Sequence, residues 1–354
     1  MLKVVRKIEK HIAAFLIASV STLLVCNWGL LENVTKNVIR GVYSKFKGRT
    51  QTILDDAGIP IVDYGYIDGI YIGKQRNPVT VCQKALEYYE NYEKGDKIQR
   101  QLFLNCANWL VDNSTPYGNY SILEYKFVWP IYDMTPPWRS GMAQAQALQV
   151  LIKAHNLTKD EKYLNTAKKL LNSFFYEVIE GGVTYKTSTD GWWYEEYADD
   201  NGKVSMVLNG MMSALLGIYD YYEYTKDTAA KYLFDQGVLG LKKNLPKYDK
   251  NGYSYYDILG HLAGEKYHDI HIWQLQRLYE ITHEEIFKKY HDRWASYREL
   301  PFVIRLFKSP LTKMEAAIFV SDFIVLFVSI EIVIFISEKG KRFMLKRRQQ
   351  YNTV

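Results

Sequence analysis

The run Trp192-Trp193-Tyr194-Glu195-Glu196-Tyr197 sets two carboxylates among aromatic rings. Farther along stand Tyr256-Asp257 and the cluster Tyr267-His268-Asp269-Ile270-His271. Carboxylates, phenols and imidazoles exchange protons, and aromatic faces stack on sugar rings while a Tyr tip stays free to hydrogen-bond. The combination points to proton transfer on a carbohydrate. Each residue also has a plainer reading. Adjacent carboxylates commonly form a solvated loop pair, Tyr267 could pack at a helix start, and Trp192 or Trp193 could be core instead of a sugar platform. His268 and His271 have i, i+3 spacing, but no further His or Cys pattern supports a closed metal site. Neither a metal nor a cofactor is expected.

Tyr outnumbers Phe 30 to 15, which favours rings with a polar tip. The net charge of +6 sits in the tails: residues 1–11 carry +3 and residues 338–354 carry +5, leaving −2 for the rest. Nothing in that distribution argues for nucleic acid. Three Cys do not form a disulfide framework. Cys82 and Cys106 fall in helical stretches and are expected to be buried thiols, a bridge between them being the alternative.

The elements that must hold these residues begin with two apolar segments. Residues 12–31 contain no Asp, Glu, Lys or Arg, and about 20 such residues span the roughly 30 Å hydrocarbon layer. Residues 316–337 form a second span interrupted by Asp322 and Glu331. Those acids could contact a partner helix; the simpler expectation is a tilted helix with Asp322 near the interface. Basic tails beyond both spans place both termini in the cytoplasm and the middle outside. Four sequons, at Asn33, Asn113, Asn119 and Asn156, fit that topology. The resulting plan is a cytoplasmic tail 1–11, a span 12–31, a lead-in 32–72, a main domain 73–300, a juxtamembrane linker 301–315, a span 316–337 and a basic tail 338–354.

Within the lead-in, a short strand or two is expected around residues 59–71. From Asn77 the pattern becomes amphipathic helices joined by short polar turns. Asp96, Asp160, Asp227 and Glu285 recur every 58–67 residues in those turns. Four helical hairpins result, which suggests a mainly α chain built as an incomplete α/α toroid. Longer loops at 113–139, 180–205 and 248–267 carry most of the Trp and paired charges, with β-hairpins expected near Gly181-Gly182 and around Asn251-Gly252.

The runs WRSGMAQAQALQVLIKAH, GGV, WYEEY, VLNG, LLGIYD, LPKYD, YYDI and YHDIHIWQLQRLY occur in this order between residues 73 and 297. That ordered set resembles the C-terminal region of D-glucuronyl C5-epimerases. The resemblance implies an α/α toroid that converts D-glucuronate units of a polysaccharide to L-iduronate. It carries over Glu196, Tyr256 and Tyr267 as catalytic residues, and Tyr197 and Asn209 as lining the substrate groove. The chain departs from the animal enzymes in two places. Their large β-rich insertion between the first two helices is missing, since Tyr92 leads through Asp96 straight to Leu102. Their Arg-His pair after the Tyr-Asp dipeptide is Ile258-Leu259-Gly260-His261 here.

C5 epimerisation removes a proton beside a carboxylate and returns one to the opposite face. A base, an acid and a clamp for the carboxylate are needed. Glu196 and Tyr267 form the expected pair, with Tyr256 as acid or relay. Arg139, Lys266 and His261 are candidates for the clamp, and Trp193 and His271 complete the expected substrate contacts. The expected partners are a uronic-acid-containing polysaccharide and the membrane, with a homodimer left open. A polysaccharide lyase sharing the first proton abstraction, and a non-catalytic membrane-tethered glycan-binding module, are the competing readings. A glycoside hydrolase would need a second carboxylate that Glu196 lacks.

Overall fold

The computed structural model describes residues 2–46, 50–187, 190–302, 304–305 and 313–351. The chain divides into two units, one of Met1–Lys47 with Glu299–Val354 and one of Gly48–Arg298. The first unit opens with α1 (Leu2–Trp28) and α2 (Glu32–Phe46). Ile8–Trp28 is long and apolar enough to cross a membrane. Helix α2 lies in the lead-in, upstream of the strands expected around residues 59–71.

The second unit starts with five short strands: β1 (Gln51–Leu54), β2 (Pro60–Asp63), β3 (Tyr66–Ile67), β4 (Ile70–Tyr71) and β5 (Lys74–Gln75). They form an antiparallel sheet in the order β1-β2-β5 and a β3-β4 hairpin. Four helical hairpins follow as predicted. They are α3 (Pro78–Glu93) with α4 (Gln99–Asp112), α5 (Gly141–Thr158) with α6 (Glu161–Asn172), α7 (Leu208–Thr225) with α8 (Thr228–Asn244), and α9 (Glu265–Thr282) with α10 (Glu285–Glu299). Helix α3 packs on α5, α5 on α7 and α7 on α9, so these four form the inner ring of an incomplete α/α toroid. The core follows that ring, with Ala145, Leu148, Met211, Leu215 and Leu275 fully buried. At Gly217 an added Cβ would lie 2.3 Å from the Ala145 carbonyl oxygen, so the missing side chain is what lets α7 approach α5.

One turn design repeats between inner and outer helices. Lys159, Lys226 and His283 close α5, α7 and α9 in the left-handed conformation. The preceding Thr158, Thr225 and Thr282 donate back to the carbonyl four residues earlier and accept the amide two residues later. Asp160 and Asp227 then cap α6 and α8 through the amides of Lys162 and Ala229. In the last turn Glu284, not the expected Glu285, holds the equivalent place.

Between α4 and α5 the chain forms β6 (Ser114–Tyr117), β7 (Tyr120–Tyr125) and β8 (Trp138–Arg139), paired antiparallel in that order. This region was expected as a loop. Nearly every residue of β7 is buried, so no polar–apolar alternation marks it. The two expected hairpins are present as β9 (Thr184–Lys186) with β10 (Trp192–Tyr194) and β11 (Asp249–Lys250) with β12 (Tyr253–Ser254). Asn251 and Gly252 make the second turn with φ of 53° and 97°. Cys82 and Cys106 are free thiols, both buried.

The first unit closes with α11 (Lys313–Tyr351), whose segment Met314–Met344 is long and apolar enough to span a membrane. The expected linker at 301–315 falls largely outside the described residues. Helices α1 and α11 run antiparallel. Lys10 Nζ donates to Glu338 at 2.7 Å, His11 Nδ1 lies 2.8 Å from Glu331, and Asp322 accepts from Thr35 Oγ1 at 2.7 Å and from Cys26 Sγ at 3.7 Å. Asp322 is 2 % exposed. Both acids thus contact neighbouring helices within this unit.

Candidate active site

A cavity of about 410 Å³ opens at the N-terminal ends of all four inner helices. Asn77 and Gln83 come from the start of α3, Ser140 and Gln146 from that of α5, Asn209 and Ser213 from that of α7, and Lys266, Tyr267 and Gln274 from α9. Helix N-termini carry partial positive charge, so their convergence favours an anion in the cavity. Asn77 and Ser140 cap α3 and α5 through the amides of Thr80 and Ala143. The starts of α7 and α9 have no side-chain cap.

One wall is aromatic. Tyr125, Phe127, Trp129 and Trp138 reach it from β7, β8 and the segment between them. Tyr125 stacks on Trp138 with ring centroids 3.8 Å apart, and the Trp138 indole donates to the Phe127 carbonyl at 2.7 Å. This fixes a flat apolar surface of the kind that suits a sugar ring.

The two adjacent glutamates part company just beyond β10. Glu195 is fully buried and turned inward. It accepts from the Met206 amide at 3.0 Å and from Ser205 Oγ at 3.2 Å, clamping the segment that leads into α7. Burial pushes its carboxyl up to about 8. Glu196 lines the cavity, takes a hydrogen bond from Asn209 Nδ2 at 3.3 Å and is pushed up to about 7 by burial, against the Asn209 hydrogen bond that lowers it. At Gly210 an added Cβ would lie 2.4 Å from Glu196 Oε2, so only glycine lets the carboxylate rest on the first turn of α7.

Three phenols continue from Glu196. Tyr197, Tyr256 and Tyr267 lie near enough to Glu196 for its charge to act on each of them. The Tyr256 and Tyr267 rings meet edge to face at 4.8 Å. Burial first and the nearby Glu196 charge second hold all three phenols above the usual tyrosine range. The Tyr256 backbone is pinned on both sides: its amide donates to the His261 carbonyl at 2.6 Å, and its carbonyl accepts from the Leu208 amide at 2.9 Å. Two loops and the start of α9 thus bring one carboxyl and three phenols together.

Of the residues singled out in the sequence, Glu196, Tyr197, Asn209, Lys266 and Tyr267 line the cavity, and Tyr256 stands directly behind Tyr267. Among the described residues Lys266 is the one cation in that lining, with Nζ 5.9 Å from the Tyr267 ring. Four other expectations are corrected. Trp193 is 1 % exposed and stacks on Tyr248 at 5.7 Å, which makes it core. The Arg139 guanidinium is buried away from the cavity, donating to the Val178 and Gly182 carbonyls and to Asp200. His261 points to Asp257, Nδ1 to Oδ2 at 2.6 Å, outside the cavity lining. His271 is wholly buried, where Ser254 Oγ lies 2.8 Å from its Nδ1 and from that of His268; burial lowers it to about 3 and keeps it neutral. Among the described residues no group of three or more His, Cys, Asp and Glu is arranged to hold a metal.

The aromatic wall and the amides Gln83, Gln146 and Gln274 were missed. The signal available was the period-two spacing of Tyr125, Phe127 and Trp129, which is that of a strand edge presenting one face.

The sequence profile described as D-glucuronyl C5-epimerase C-terminus matches residues 117–296. A D-glucuronyl C5-epimerase of Caenorhabditis elegans is 34% identical over 247 residues, covering 63% of this chain and 38% of that protein. An uncharacterized protein of Methanocaldococcus jannaschii is 33% identical over 274 residues, covering 72% of this chain and 87% of that one. Among solved structures, a cellobiose 2-epimerase of Bacillus thermoamylovorans aligns with a TM-score of 0.46 at 13% identity, covering 63% of this chain and 58% of the other.

Proposed function

The chain belongs to the D-glucuronyl C5-epimerase family, and from that premise we propose that it converts D-glucuronate units of a polysaccharide to L-iduronate by exchanging the C5 proton between ring faces. The observation that carries this reading is the cluster of Glu196, Tyr197, Tyr256 and Tyr267 at a cavity ringed by four helix N-termini. A carboxyl near 7 is half ionised at neutral pH, so Glu196 is suited to take the C5 proton. Phenols held above their ordinary range stay protonated, so Tyr267 is suited to return one, with Tyr256 and Tyr197 as the relay back to Glu196. The enolate-like intermediate carries extra negative charge on the substrate carboxylate. Lys266 and the helix N-termini supply the opposing charge, and the aromatic wall holds the ring.

We also propose that the enzyme is a two-pass membrane protein with both termini cytoplasmic and the toroid outside. Two apolar helices, basic residues beyond each, and their antiparallel pairing support that arrangement.

The test is product analysis. The full chain in detergent, incubated with glucuronate-containing polymers, is expected to yield iduronate units at unchanged chain length. An unsaturated, shortened product would instead establish a lyase, and unaltered polymer would favour the binding-module reading.

A further inference from the structure

A second cavity, of about 320 Å³, adjoins the first, and Phe127 lines both. The end of β7 and the segment after it divide between the two: Tyr125 and Trp129 line the first cavity, while Glu124 and Lys126 line the second. The second cavity also takes Lys74 and Arg76. Arg76 is fixed, pairing with Asp55 at 2.5 Å and donating to the Ile59 carbonyl at 2.9 Å. Among the described residues, the Lys74 and Lys126 ammonium groups have no hydrogen-bond or ion-pair partner. Glu124 is occupied by Tyr117 Oη at 2.5 Å and Thr115 Oγ1 at 3.1 Å. The lining therefore holds three cations and one engaged carboxylate, with two ammonium groups available to an incoming anion.

Resting on the epimerase reading, we propose that this cavity is a second anion subsite, which binds the carboxylate of a neighbouring uronate while the reacting unit occupies the first cavity. Phe127 contributes to both linings, and a polymer carrying a carboxylate at regular intervals presents a second anion beyond the reacting unit. Two point charges beside an apolar ring select an anionic repeat over a neutral one. The subsite would favour long polyuronates over isolated disaccharides, through affinity and not through the chemistry at C5.

The experiment is calorimetric titration of the full chain in detergent with oligosaccharides of alternating glucuronate and N-acetylhexosamine, two and six sugars long. The wild type should prefer the hexasaccharide, and a Lys74→Gln, Lys126→Gln double variant should reduce the ratio of the two affinities by about tenfold. Lys126→Glu should reduce it further, and rising salt should shrink it in the wild type. An unreduced ratio in both variants, or equal losses for the two lengths, would overturn the subsite. Because binding is read instead of turnover, absence of C5 conversion would refute the epimerase reading alone.

Discussion

At the scale of single residues, Glu195 and Glu196 show how neighbours of identical chemistry acquire different tasks. One is enclosed and clamps Ser205 and Met206; the other faces the cavity beside Asn209. If Glu196 takes the C5 proton, activity should rise with pH through about 7, the value to which burial pushes it. A pH–rate profile with no limb in that region would contradict the assignment. Glu195 gives a stability prediction. Its folded value of about 8 lies above its ordinary 4.5, so the native state binds the proton more tightly than the unfolded chain. Stability is then greatest below about 4.5 and declines as pH rises through about 8. Thermal unfolding followed across that range should show the decline, with a shallower slope in Glu195→Gln. The family resemblance made Glu196, Tyr256 and Tyr267 legible from sequence. Arg139, Trp193, His261 and His271 were misjudged because a residue type says what chemistry a side chain can do, not which way it points. Burial turned each of the first two into a structural part, and Asp257 and Ser254 engaged the two histidines.

At the scale of elements, the four hairpins could be read because amphipathic periodicity and Thr-Lys-Asp turns are local signals. The β6–β8 sheet could not, since β7 is buried along almost its whole length and offers no alternation. The helices touch where glycine permits. Gly217→Ala would push a methyl into the Ala145 carbonyl and should destabilise the fold by about 1–3 kcal/mol, as overpacking does; an unchanged denaturation midpoint would contradict the close approach. Gly210→Ala acts on the site instead, because its methyl would meet Glu196. Loss of activity there should far exceed loss of stability, a separation measurable by comparing kcat with the thermal midpoint.

At the scale of the whole molecule, one chain carries both an α/α toroid and a pair of apolar helices. Their existence was visible in composition, but the contacts of Asp322 with Thr35 and of Glu331 with His11 were not, because pairing between distant segments leaves no local trace. Single cysteines introduced at Lys3 and Lys346 in a Cys26→Ser background should react with a membrane-impermeant thiol reagent only after permeabilisation, while one at Lys97 should react from outside. Labelling of either terminal position in intact cells would refute the topology. The central claim concerns one hydrogen, and its most direct measurement is the rate at which solvent deuterium enters C5 of a glucuronate polymer, followed by NMR. The wild type should label C5 without cleaving the chain, and Glu196→Gln should label it at least about a thousandfold more slowly, as expected when an essential proton-transfer group is lost. Labelling by Glu196→Gln at the wild-type rate would contradict it.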